Sequence, residues 1–267
     1  MSVLFAEPAV SRDEAARLVS SVKWFHRVEP IEGMIAPGYV PPQGSYDAAG
    51  YADSLQLGDI RGKRILEIGT WDGPMAYELA KRGADVVASD IQDPKHTGFN
   101  VLGKIGGFKV PYVRTSVYDL HKHFKPATFD IVLFLGVFYH LKHPLMAFEK
   151  IASVLKLGGQ IRCEGAGIGP YFENLSSEPV LLPAHVFETL NAMDEAGVPL
   201  ALSYPGTFRK GENWFLPNKT ALKGWMQAAG FDVDGVWMML TDEARGVVRL
   251  GGRATKVGRP TEEHKIV

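Results

Sequence analysis

The sequence has a single cysteine, Cys163, among 267 residues. One thiol excludes an intramolecular disulfide framework and a cysteine-rich zinc site, and it fits a reducing compartment. Charge of one sign is also missing: 29 Lys and Arg face 30 Asp and Glu, for a net charge of −1. A nucleic-acid binder usually needs a cationic excess to neutralise phosphates, so this balance argues against nucleic acid and leaves open a local basic patch. No apolar run reaches the roughly 18 to 20 residues of a membrane span. The longest, Ile131 to Tyr139, has the length of a buried strand. The amino terminus, MSVLFAEPAV, has no basic region and is interrupted by Glu7 and Pro8, so it does not read as a secretory signal. These absences predict a cytoplasmic chain with no membrane partner.

With 46% apolar residues the chain can fill a core. Ser11 followed by Glu14 has capping-box spacing and opens a helix to about Ser20; a Pro- and Gly-rich stretch from Glu29 to Gly44 follows, then a helix from Asp47 to about Leu57. From Arg64 onward, short aliphatic runs at Ile65–Ile68, Val86–Ala88, Tyr112–Val117, Ile131–Leu135 and Gln160–Cys163 alternate with helical stretches. Pro74 and Gly83 bracket one helix, Asn218 and Gly230 another. The pattern predicts an α/β fold, a Rossmann-like seven-stranded, mostly parallel sheet with helices on both faces. Residues 1–60 form an amino-terminal helical cover, and the main domain, 61–267, carries an insertion at 165–217 after the fifth strand.

The strongest local signal is ILEIGTWDGPMAYELAKRGADVVASDI: strand, glycine turn, helix, and a second strand ending in an acid. Gly69 supplies an unusual backbone angle and Gly73 lets a ligand approach the helix start. Glu67 is placed to address an amino group, and Asp90 to accept hydrogen bonds from ribose hydroxyls. A dinucleotide site is the rival, but Trp71 and Asp72 between the glycines suit a ligand without pyrophosphate. Thr70 in the turn, Ile91 after the acid, Ser116 and Val117 after the third strand, and Leu135 and Gly136 after the fourth complete the predicted cofactor-binding set.

The second signal is FDIVLFLGVFYHLKHPLMAFEKIASVLKLGG, in which Gly136, Tyr139 and His140 follow a buried strand. Here the chain resembles class I methyltransferases, which implies S-adenosyl-L-methionine as methyl donor. More narrowly, GVFYH, the helix after it, and NWFLPNKTALKGWMQAAGF are similar to the family that installs a carboxymethoxy group on the wobble uridine of tRNA. That resemblance spans about Trp24 to Arg253 and implies a carboxylated donor, held by a lysine ahead of the core, the GVxYH tyrosine and an arginine near the last strand. Tyr139 matches the tyrosine, and Arg245 is a match for the arginine. No lysine matches, the portion before Arg64 is short, and the chain lacks basic character, so plain S-adenosyl-L-methionine is preferred.

Tyr139, His140 and Glu164, at strand ends facing one rim, are the predicted catalytic groups. His140 is the side chain suited to take a proton from an attacking hydroxyl or amine. Trp24, His26, Trp214 and Arg245 are the predicted substrate-binding residues, with Trp24 and His26 serving equally as a lid or as a packing anchor. His121 and His123 lack a third ligand, so no metal is expected. The reading is a methyltransferase for a small-molecule hydroxyl or amine. The alternatives are the tRNA carboxymethyl reaction and a donor-binding module without catalysis.

Overall fold

The computed structural model describes residues 3–176, 178–208, 211, 213–242 and 247–258. The chain forms two compact units, residues 1–116 and 117–267.

In the first unit, Ser11 caps α1 (Arg12–Ser20), its hydroxyl accepting from Glu14 N–H at 3.2 Å as the spacing predicted. Asp47 caps α2 (Ala48–Ser54) in the same way through Gly50 N–H at 2.9 Å. There follow β1 (Arg64–Ile68), α3 (Pro74–Lys81), β2 (Asp85–Asp90), α4 (Phe99–Gly106) and β3 (Tyr112–Arg114). β1, β2 and β3 pair in parallel, with Glu67 opposite Ala88 and Ile68 opposite Ser89. Ile65 and Leu66 are wholly buried, as strands covered on both faces require. β3 ends earlier than the sequence predicts: Val117 to Asp119 wind into a 3-10 turn. Val117 and Leu120 both bury, and their three-residue spacing is helical rather than extended.

The second unit contains α5 (Leu120–His123), β4 (Phe129–Leu135), a 3-10 turn at Phe138–His140, α6 (Pro144–Val154) and β5 (Leu155–Ala166). The insertion follows as β6 (Tyr171–Glu173), β7 (Pro179–Leu181), α7 (Ala184–Glu195), β8 (Ala201–Ser203) and β9 (Phe215–Pro217), before α8 (Lys219–Ala228), β10 (Phe231–Asp242) and β11 (Val247–Lys256). β4 and β5 run parallel, whereas β11 is antiparallel to both β5 and β10. The seven strands of the sheet lie in the order β10-β11-β5-β4-β1-β2-β3. Ile168, Tyr204, Phe208 and Leu216 give the insertion its own small core. Buried Asp194, at the end of α7, accepts from Thr220 N–H at 2.9 Å, while Asn218 caps α8 through Ala221 N–H at 2.8 Å. The insertion is thereby tied to the helix that follows it. Among the described residues, no helix is long and apolar enough to cross a membrane.

Candidate active site

The turn between β1 and α3 is built on left-handed backbone. Gly69, Trp71 and Gly73 have φ of 80°, 46° and 81°. Glycine adopts these angles freely, and a Cβ on Gly73 would come 2.4 Å from the Phe99 ring. Trp71 has no such freedom and costs about 1 kcal/mol or more. Two contacts hold it: its N–H donates to Asp90 Oδ2 at 2.9 Å, and its ring lies 4.7 Å from that of Phe25. The N–H groups of Gly69 and Thr70 both donate to Ser89 C=O, so β2 anchors the turn.

Two acids flank this turn. Glu67 is buried, and the Thr70 hydroxyl donates to it at 2.6 Å. Burial pushes its carboxyl up to about 7; the Thr70 bond opposes the shift and the charge of Asp90 adds to it. Asp90 is also shifted upward by burial, against the N–H groups of Gln92, Trp71 and Ile91 that favour its charged form. Beside Asp90, Ile91 leaves 60% of its surface exposed, an apolar face next to an acid.

Asp72 has no exposed surface, yet it carries a carboxylate. Oδ2 accepts from the N–H groups of Phe25 and His26 at 2.9 and 2.7 Å and lies 3.2 Å from His26 Nδ1. Oδ1 accepts from Gly98 N–H at 2.7 Å. A single acid thus fastens the amino-terminal segment and the start of α4 to the turn, and these bonds make burial of the acid tolerable. Trp24 points inward, its Nε1–H donating to Val19 C=O at 2.8 Å and its ring closing on Gly98. Phe25 and His26 instead join aromatic neighbours: Tyr39 lies 4.9 Å from Phe25, and Tyr46 lies 5.1 Å from His26. Gly38 permits this fold-back, because a Cβ there would sit 2.1 Å from the His26 carbonyl.

In the second unit, Tyr139 and His140 occupy the 3-10 turn after β4 with ring centres 4.1 Å apart. Glu164, near the end of β5, forms a two-pronged ion pair with Arg249 of β11: Nε meets Oε1, and Nη2 donates to Oε2 at 2.7 Å. Arg249 Nη1 also donates to the Tyr139 hydroxyl at 3.3 Å. Burial works against the guanidinium charge, but Glu164 and Tyr139 outweigh it and hold the group firmly protonated. Trp214 N–H donates to Tyr139 C=O at 2.7 Å, and Lys142 Nζ lies 4.8 Å from the Trp214 ring centre. Gly136, at φ 72°, donates its N–H to Glu164 C=O at 2.8 Å.

The sequence-predicted residues therefore fall into two groups. Glu67, Gly69, Thr70, Gly73, Asp90, Ile91, Trp24 and His26 lie in the first unit, with Ser116 at its end. Val117, Leu135, Gly136, Tyr139, His140, Glu164 and Trp214 belong to the second. Arg245 lies outside the described residues. Sequence reasoning missed the clamping role of Asp72 and the whole of Arg249. The signal for Asp72 was present, since an acid inside a ligand turn needs donors; Arg249 sits in an ordinary alternating strand and gave none.

Residues 45–236 match a family model described as a methyltransferase domain. A ubiquinone biosynthesis O-methyltransferase of Aliivibrio fischeri is 31% identical over 100 residues, which are 38% of this chain and 42% of that protein. A tRNA U34 carboxymethyltransferase of Helicobacter pylori is 30% identical over 125 residues, 46% of this chain and 38% of that protein. The matched parts thus span about two fifths of these relatives. Among solved structures, the Burkholderia thailandensis 1,6-didemethyltoxoflavin-N1-methyltransferase, with bound 1,6-didemethyltoxoflavin and S-adenosylhomocysteine, superposes with a TM-score of 0.55. It is 16% identical and covers 79% of this chain and 78% of that one, a likeness of fold.

Proposed function

Because the chain belongs to the S-adenosylmethionine-dependent methyltransferase domain family, we propose that it transfers a methyl group to a hydroxyl or amine of a small molecule. The observation that carries this reading is the turn after β1. It presents left-handed glycines, the buried acid Glu67 at one strand end and Asp90 at the next. Glu67 is held towards neutrality by burial and by Asp90, so a cationic amino group nearby would restore its charge. Asp90 and the apolar face of Ile91 suit a ribose and a purine.

When bound, S-adenosylmethionine supplies an electrophilic methyl on a sulfonium. The protein's part is to align the acceptor with that methyl and to keep water out. Within the second unit, Glu164 holds Arg249 against Tyr139, and Trp214 N–H donates to the Tyr139 carbonyl. The named relative that methylates oxygen in ubiquinone biosynthesis, and the toxoflavin enzyme that methylates nitrogen, support a small acceptor of either kind. Balanced charge supports it over tRNA.

S-adenosylhomocysteine should raise the melting temperature by mass action, and NAD and NADP should not. A shift with a nicotinamide cofactor alone would mean that the turn around Trp71 has been misread.

One observation favours the carboxylated donor: Arg249 touches the tyrosine that the tRNA family uses for it. Glu164 takes the Nε and Nη2 edge of the guanidinium and balances its charge, so a second carboxylate would meet a neutralised partner. Plain S-adenosylmethionine is accordingly expected to bind more tightly, as competitive titration of the two donors would show.

A further inference from the structure

We propose that His26, oriented by Asp72, is the base that receives the acceptor's proton during methyl transfer. This rests on the donor reading above, because His26 is fastened to the turn that would hold the donor.

The Asp72 carboxylate has no exposed surface, and its Oδ2 lies 3.2 Å from His26 Nδ1. It can only accept, so Nδ1 carries the proton, and the lone pair of the neutral ring is on Nε2. A buried acid that fixes the imidazole tautomer through one nitrogen leaves the other as a base; this is the logic of nucleophile activation at unrelated sites. Among the described residues Nε2 has no hydrogen-bond partner, and the side chain keeps 15% of its surface exposed. A clamp alone would need no more than the backbone N–H groups of Phe25 and His26, which already satisfy Oδ2. The third, side-chain donor adds orientation of the ring. Phe25 and Tyr46 pack on that ring at 4.9 and 5.1 Å and restrict its rotation.

The acceptor oxygen or nitrogen forms a bond to the methyl carbon, the carbon–sulfur bond breaks, and its electron pair passes to sulfur. The proton leaves the acceptor for His26 Nε2. One positive charge is lost at sulfur and one appears on the imidazolium beside Asp72, which stabilises it. Among the described residues, the titratable groups placed against this ring are Asp72 and Tyr46; Tyr39 lies beyond Phe25 and is shifted upward by burial and by Asp72, so it stays neutral.

The test requires no known acceptor. Sinefungin is a donor analogue with an amine where the donor carries its methyl, so its ammonium would donate to Nε2; S-adenosylhomocysteine lacks that group. Both are titrated calorimetrically against the chain of 267 residues and its His26→Gln and Asp72→Asn variants. The expected result is a sinefungin preference that falls by about tenfold or more in both variants, the scale of one charge-assisted hydrogen bond, with S-adenosylhomocysteine affinity nearly kept in His26→Gln. Equal preference in wild type and His26→Gln overturns the role of His26 while leaving the donor reading intact. Binding of neither ligand to the wild type overturns both.

Discussion

Trp71 N–H donates to Asp90 Oδ2 at 2.9 Å, so the acid at the end of β2 also supports the one non-glycine residue of the turn that has left-handed backbone. Asp90→Ala should therefore have two effects. Donor affinity should weaken by roughly 1.5 to 3 kcal/mol, the scale of hydrogen bonds to a charged acceptor. The melting temperature should also drop, since the N–H groups of Trp71 and Gln92 lose their acceptor. Asp90→Asn keeps one of the two accepting oxygens and should recover only part of the stability and little of the affinity. Calorimetric titration and thermal melting separate the two; full stability in Asp90→Ala would show that the turn does not depend on this contact.

Glu67 predicts a pH dependence of stability. Its carboxyl is raised in the folded state to about 7 from an ordinary 4.5. An acid so shifted binds more protons folded than unfolded. Its favourable contribution is complete below about 4.5 and is lost as pH rises to about 7, a total of about 3 kcal/mol. Melting of the free protein should show this decline, and Glu67→Gln should flatten it. A decline of the same size in the variant would assign it to other groups, Asp90 first.

The Arg249 and Glu164 pair should behave as a partly buried ion pair, with side chains 21% and 12% exposed. Arg249→Leu or Glu164→Leu alone leaves one member without its partner and should cost about 3 to 5 kcal/mol. The double variant Arg249→Leu/Glu164→Leu should recover much of that loss. Additive losses in a denaturant-unfolding cycle would mean that the two side chains do not interact in solution.

Two glycines should respond with opposite signs. At Gly38 an added Cβ would sit 2.1 Å from the His26 carbonyl carbon and oxygen, backbone atoms that cannot yield without moving the segment. Gly38→Ala should cost about 1 to 3 kcal/mol and should lower donor-analogue affinity by displacing His26. Gly224, inside α8, has open space around the same position, and Gly224→Ala should stabilise by about 0.5 to 1 kcal/mol. Urea melts of both variants decide; a neutral Gly38→Ala would show that the fold-back tolerates a methyl group.

Much of the architecture was legible in the chain because it rests on local chemistry. Ser11 with Glu14, Pro74, and Asn218 with Gly230 mark helix ends by satisfying or lacking particular backbone groups, and the structure places helices there. The apolar run from Ile131 to Leu135 read as a covered strand, and the structure places it in β4. The glycine turn with an acid at each end was equally visible, because ligand turns need residues that tolerate left-handed backbone. β3 was the exception, since Val117 suits a strand by propensity and its burial in a 3-10 turn depends on what surrounds it.

What the sequence by itself determined was the alternation of strands and helices, the family, and the turn from Glu67 to Asp90. What tertiary structure decided was pairing across distance. Forty-six residues separate His26 from Asp72, and 85 separate Glu164 from Arg249. No periodicity links such positions. An acid that is wholly buried must find donors wherever the fold brings them, and a guanidinium on one strand pairs with whichever carboxylate the register of its neighbour presents. Those partners follow from burial and strand order, which exist only once the chain is folded.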